Sequence, residues 1–184
     1  MPIELTPTTP PSLWVSRFAP LIPAEPGETL DLACGSGRHA RLLAGLGYRV
    51  EALDRDAAAL AQLEGVANVT TRCADIENGP WPYYGQVFDG IVVCRYLWRA
   101  LFPQIFNCLA VDGVLIYETF MEGQQLHGKP SNPAHLLRPG ELLNLVGKRF
   151  AIVAFEQGEV VGADGTPQVI QRICVRRGRP GRLP

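Results

Sequence analysis

The sequence predicts an α/β fold: a doubly wound sheet closed by a C-terminal hairpin. Three features predict it. Short strand-like runs alternate with helical patterns along most of the chain. One run, Val87 to Cys94, is almost continuously apolar, as a central parallel strand buried on both faces must be. The chain then ends on two strand-like runs, Arg149 to Glu156 and Gln168 to Arg176, around the turn GADGT.

Residues 1–11, MPIELTPTTPP, are Pro/Thr-rich and expected to be flexible. Ser12 to Ile22 has the pattern of a short amphipathic helix, with Trp14 and Phe18 on one face. That face either covers a ligand or packs on the domain edge. The first strand falls near 29–33. The next helix falls near 37–46, where Ala40, Leu42, Leu43 and Leu46 repeat at helical spacing and Gly47 stops the run. A strand over 49–53, a helix from Asp56 to Leu63 and a third strand from Asn68 to Cys73 follow. The segment ENGPWPYYGQ holds too much Gly and Pro for a long helix, so this crossover is abbreviated. After the fourth strand, Leu97 to Ala110 is expected to be a helix with Pro103 near its start. Asp112-Gly113 turns into a fifth strand, Val114 to Phe120. Residues 121–138 form a long polar loop. Pro139-Gly140-Glu141 then opens a last helix to about Gly147.

Bulk properties narrow the class. A chain of 184 residues suits one domain, expected over 12–176. At 47% hydrophobic and 19% charged residues it is globular. A net charge of −1 argues against nonspecific nucleic-acid binding through bulk charge and leaves a local basic patch open. The tail from Arg176, RRGRPGRLP, contributes a basic stretch over 177–184, either a solvated terminus or a contact for phosphate or lipid headgroups. No apolar run approaches the ~18 residues of a membrane span, and the start lacks the order of a secretion signal. The five cysteines have no C-x-x-C pair and mostly sit in apolar segments. Reduced thiols in a cytoplasmic protein are therefore expected, with no metal site.

The most specific stretch is residues 30–54, LDLACGSGRHARLLAGLGYRVEALD. It reads as strand, tight glycine turn, helix and second strand ending in an acid. Gly35 and Gly37 permit a sharp turn and close backbone approach to a ligand. Asp54 stands where an acid accepts ribose hydroxyls, so the unit predicts a bound adenosine compound. As G-x-G-x-x-A (Gly35, Gly37, Ala40) the turn matches the loose dinucleotide pattern. Asp31 tells against a dinucleotide, because an acid facing a pyrophosphate would repel it. S-adenosyl-L-methionine (SAM) has no phosphate and carries an ammonium and a sulfonium.

The string D-x-A-x-G-x-G over Asp31, Ala33, Gly35 and Gly37 resembles the first motif of class I SAM-dependent methyltransferases. Asp54, followed by Arg55, resembles the acid that takes the ribose. Asp75 and Ile76, in Cys73-Ala74-Asp75-Ile76, resemble the adenine-contacting acid and its apolar neighbour. FDGIVVCRYL, with Cys94 at its strand end, resembles the fourth strand. The LACGSGRHA turn, the ETF strand end with its loop, and the RPGEL helix start resemble small bacterial methyltransferases near the tellurite-resistance type. The resemblance implies a seven-stranded, mostly parallel sheet with a C-terminal antiparallel hairpin, SAM as cofactor, and those residues as its binding set. Alone, each Asp could equally be a helix cap.

Methyl transfer needs no obligatory catalytic residue, so the motif leaves the acceptor open. Neither the Asn/Asp-Pro-Pro-aromatic string nor a Pro-Cys pair is present. These absences shift weight to a small-molecule acceptor, with an RNA or protein methyltransferase or a noncatalytic SAM-binding protein as alternatives. An NAD(P)-dependent oxidoreductase is remote, because no tyrosine has a lysine four residues on. Candidate catalytic residues are Arg95, Tyr96 and His127. Tyr117, Glu118, Lys129, Asn132 and Arg138 complete the substrate-side candidates. Arg95 either binds an acidic substrate or pairs with an acid at the sheet edge.

Overall fold

Seven strands form one sheet in the computed structural model, which describes residues 9–25, 27–162 and 165–179. The strands are β1 Glu28–Leu32, β2 Arg49–Asp54, β3 Val69–Cys73, β4 Phe88–Cys94, β5 Leu109–Phe120, β6 Ala151–Val161 and β7 Pro167–Arg176. They lie in the order β3-β2-β1-β4-β5-β7-β6. The first five are parallel, β7 runs antiparallel to β5, and β6 antiparallel to β7. The helices are α1 Leu13–Phe18, α2 Arg38–Gly45, α3 Ala57–Ala61, α4 Phe102–Asn107 and α5 Glu141–Val146.

Alternation along the strands builds two cores. Ile91 and Val93 of β4, Leu115 and Tyr117 of β5, and Ile173 and Val175 of β7 face one side. There they meet Phe102, Ile105 and Phe106 of α4 and Leu142 and Val146 of α5. Val92, Val114, Ile116 and Cys174 face the other side, against Trp14, Val15 and Phe18 of α1 and Ala40 and Leu43 of α2. All seven residues of β4 are buried, as its continuous apolar run requires. Helices on both faces make the sheet doubly wound. Its order reverses between β1 and β4, the place where such sheets open a ligand crevice.

Several expected bounds shift for physical reasons. The helix expected over 97–110 is only Phe102–Asn107, preceded by a 3-10 turn at Arg99–Leu101. Pro103 fits only the first turn of a helix, so the helix begins just before it, at Phe102. The strand expected from Val114 instead begins at Leu109 and absorbs Asp112 (φ 63). The strand expected to end at Glu156 continues to Val161, because β7 pairs with it out to Pro167. The expected hairpin turn includes 163 and 164, which lie outside the described residues. So do residues 1–8 of the expected flexible segment and 180–184 of the basic tail. Among the described residues no helix is long and apolar enough to cross a membrane.

Candidate active site

The chain leaves β1 in left-handed conformations at Ala33 (φ 56), Gly35 (φ 56) and Gly37 (φ 77). The two glycines do different work. A Cβ on Gly37 would come within 2.4 Å of the Leu63 side chain, so this glycine lets the helix start pack closely. A Cβ on Gly35 would meet nothing within 4 Å, so this glycine borders open space. Its N–H donates to Asp54 Oδ2 at 2.7 Å, while Asp54 Oδ1 accepts from Asp56 N–H at 3.0 Å. Asp54 thus ties the turn to the end of β2, and each carboxylate oxygen keeps capacity for a further donor.

Asp31 lies beneath the turn and is 1% exposed. It accepts from the backbone N–H of Ala40 in the first turn of α2, and its Oδ2 has no hydrogen-bond partner among the described residues. Burial pushes its carboxyl up to about 7; the Ala40 bond and Arg38 pull it down, and Asp54 pushes it up. Such a group gains from a nearby cation, and SAM carries two. Asp31 is therefore both the helix cap and the orphaned acid that a cationic ligand would satisfy.

A cavity of about 420 Å³ opens over the carboxyl ends of β2, β3 and β4. Ala33, Asp54, Arg55, Asp75, Ile76, Arg95 and Tyr96 all line it. Asp75 accepts from the Asn78 side chain at 2.9 Å and from the Glu77 and Asn78 N–H groups, which hold its carboxyl below the usual range. Gly35, Gly37 and Asp31 do not line this cavity, although Ala33, between Asp31 and Gly35 in the chain, does. Cys94 is also outside it, buried between Arg38 and Glu118, and burial pushes its thiol up to about 12. A thiol held so high is not a nucleophile at neutral pH.

A second cavity, about 670 Å³, adjoins the first and shares Arg95, Thr119 and Phe120 with it. Its walls come from α1 and the residues before it, the start of α2, the end of β5 and the β6–β7 hairpin. Glu118 lies opposite Arg172 in the β5–β7 register and pairs with it at 3.3 Å. Arg172 also bonds Glu156 at 2.9 Å and stacks 4.7 Å above the Trp14 ring. The face of α1 bearing Trp14 and Phe18 packs into the core, their rings 4.5 Å apart. Leu13 and Arg17, on the next stripe, line the cavity. This helix therefore packs on the domain edge and walls the second cavity.

The other candidates scatter. His127 lines neither cavity and pairs with Glu159 at 3.3 Å. Tyr117 is buried and donates its hydroxyl to the Tyr96 carbonyl at 2.8 Å. Asn132 caps a 3-10 turn, and neither Lys129 nor Arg138 lines either cavity. From the 121–138 loop, Pro130 and His135 reach the first cavity. Sequence reasoning missed Arg17, Arg38 and Arg172. The first was legible as i, i+4 with Leu13; the last needs the hairpin register. Among the described residues no group of His, Cys, Asp and Glu could hold a metal ion.

Residues 29–113 match the family described as Methyltransferase domain. No curated protein sequence matches the chain. Among solved structures, TehB from Haemophilus influenzae is similar at TM-score 0.66 and 21% identity, covering 82% of this chain and 57% of TehB. The chain thus spans less than two thirds of TehB. A SAM-dependent methyltransferase from Methanosarcina mazei gives TM-score 0.63 and 20% identity, covering 82% and 92% of the two chains. The N-methyltransferase NodS from Bradyrhizobium japonicum gives 0.64 and 15%, covering 89% and 94%. These likenesses share the fold, and the family match falls on the strands and turn that carry the motif. Residues 29–113 are thus similar to the methyltransferase domain family, and the chain has the fold of these solved methyltransferases.

Proposed function

We infer that residues 12–176 act as one unit that methylates a small molecule seated in the second cavity. The observation that carries this is the junction of the two cavities at Arg95, Thr119 and Phe120. The first cavity has the acids expected for an adenosyl ligand, Asp54 for ribose hydroxyls and Asp75 with Ile76 for adenine. Asp31 would balance the cationic methionine end. NodS, one of the similar structures, has been solved with S-adenosylhomocysteine (SAH).

Asp54, Asp75 and Ile76 would hold the adenosyl part of SAM and Asp31 would balance its methionine end; when bound, SAM would supply an electrophilic methyl group for displacement by an acceptor lone pair, with its sulfur leaving as the thioether of SAH. The protein supplies alignment, which is worth several kcal/mol when it fixes the attack geometry. Thr119 and Phe120 shape the junction and keep the acceptor in line. Glu118, the one carboxylate lining the second cavity among the described residues, would take the proton that a hydroxyl or amine acceptor releases.

Thermal unfolding with SAM, SAH, NAD and NADP tests the ligand class. A ligand at ~100 times its dissociation constant adds roughly 2.7 kcal/mol. That raises the midpoint by roughly 5–10 °C for a domain of this size. Shifts with the two adenosyl compounds alone support the reading, and tritiated methyl transfer to small molecules then completes it. A shift with a dinucleotide alone overturns it.

A further inference from the structure

We propose that the methyl acceptor carries an anionic group, a carboxylate or phosphate, on an apolar body, and that Arg17 and Arg95 bind the anion. This rests on the second cavity being the acceptor site.

Among the described residues, four arginines line that cavity, Arg17, Arg38, Arg95 and Arg172, against the single carboxylate of Glu118. The chain as a whole carries −1, so this cationic character is local and concentrated. The four are not equivalent. Arg172 is neutralised by Glu118 and Glu156. Arg38 is spent on structure, donating to the Pro10 carbonyl at 3.1 Å and toward Cys94 Sγ at 3.4 Å. Arg17 and Arg95 have no carboxylate at ion-pair distance among the described residues. Among the described residues the Arg95 guanidinium reaches the Gln168 side-chain oxygen, at 3.4 Å, and lies 5.8 Å from the Phe120 ring centre. Arg17 rests 4.9 Å from the Phe18 ring centre. Cations gathered in one concavity repel each other, and an anion between them removes that repulsion.

The placement is built by the fold. Leu13 and Arg17 are one turn apart on the stripe of α1 beside its core face. Arg95 is held left-handed (φ 58) at the end of β4, so it stands at the junction of the two cavities. An anion on Arg95 therefore sits beside the point of methyl delivery. Guanidinium forks match carboxylate and phosphate oxygens two at a time. The apolar part of the ligand has its own wall. Leu13 is 85% and Val161 78% exposed, and both line the cavity with Val160 and Ile170. Large side chains left this open at a cavity mouth fit an apolar ligand body.

Calorimetric titration of the SAH complex with phenylacetate, phenylacetamide and phenyl phosphate tests this. The expected result is that at least one anion binds about tenfold or more tightly than the neutral amide. The tighter anion assigns carboxylate or phosphate. Arg17→Gln and Arg95→Gln should each reduce anion affinity about tenfold without changing amide affinity, and Arg17→Lys should retain most of the preference. Arg17→Gln should leave SAH affinity within twofold. Equal binding of the amide and both anions overturns the proposal, as does unchanged anion affinity in both Gln variants. Either failure with SAH still bound leaves the methyltransferase reading standing. Failure of the wild type to bind SAH overturns that reading instead.

Discussion

Replacing Asp31 with Asn is expected to stabilise the ligand-free protein above neutral pH while weakening its hold on SAH. The Asp31 carboxyl is pushed from 3.8 to about 7, chiefly by burial. A native value above the unfolded one means the fold holds the proton more tightly. The stability it contributes is therefore present in full below about pH 4 and is lost as pH rises through about 7. The rise of about 3 units, at about 1.4 kcal/mol per unit, makes the ionised group roughly 4 kcal/mol unfavourable at pH 8. Asn keeps an acceptor for the Ala40 N–H but puts an amide donor where Oδ2 has no partner, which costs about 2 kcal/mol. The net expectation is a gain of about 2 kcal/mol for Asp31→Asn at pH 8 and a loss of about 1–2 kcal/mol at pH 4, where the wild-type carboxyl is protonated and only the amide cost remains. Urea unfolding of both proteins at each pH, with the difference taken between them, isolates this group from the other carboxylates. SAH affinity should meanwhile fall tenfold or more, since a charge-assisted bond to its ammonium is worth about 1.5–3 kcal/mol. An Asn variant no more stable than wild type at pH 8 would refute the burial argument. Unchanged SAH affinity would refute the ligand role.

The two glycines of the turn should separate stability from binding. Gly37→Ala combines left-handed strain with a clash against Leu63 and should cost about 2–4 kcal/mol in urea unfolding. Gly35→Ala meets open space, so its stability loss should stay near 1 kcal/mol while SAH affinity drops at least tenfold by calorimetry. Arg99 joins Glu141 at 2.7 Å and donates to the Ala134 and Leu136 carbonyls, fixing part of the loop over the first cavity. Arg99→Ala should lower stability by about 1–2 kcal/mol and speed proteolysis within 121–138. His127→Ala should leave turnover within twofold, because His127 faces Glu159 and neither cavity; a larger loss in a tritiated-methyl assay would return it to the site.

The first half of the chain was legible because its local rules agree. The β1–turn–α2–β2 unit pairs apolar strands with glycines at left-handed positions and an acid at the second strand end, so pattern and fold coincide. The second half was read less well where nonlocal pairing decides. β6 runs on through Gln157 and Gly158 only because β7 lies beside it, and no property of EQGEVV announces that partner. The candidate site divides the same way. Asp54, Asp75 and Ile76 follow strands that could be found one at a time. The arginine set of the second cavity comes from α1, α2, β4 and β7, four segments that only the folded sheet brings together. His127 was singled out because a long polar loop with a histidine looks like a lid; in the fold its imidazole pairs with the surface carboxylate of Glu159, a partner the loop sequence does not announce.

Backbone strain marks the same place independently of any motif. Among the described residues, the non-glycine positions with positive φ are Ala33, Asn68, Arg95 and Asp112. Asn and Asp tolerate this conformation, because their short polar side chains hydrogen-bond locally. Ala and Arg have no such relief, and each costs about 1 kcal/mol there. Ala33 and Arg95 follow β1 and β4, the adjacent strands between which the order of the sheet reverses. The two unrelieved strains thus fall side by side at the mouth of the crevice and not at remote turns. Strain persists only where the surrounding structure over-determines it. Here Arg95 N–H donates to the Glu118 carbonyl at 2.8 Å, holding the arginine across the end of β5. The same bond that sustains the strain places the guanidinium between the two cavities, so the cost in stability and the position of the cation have one cause.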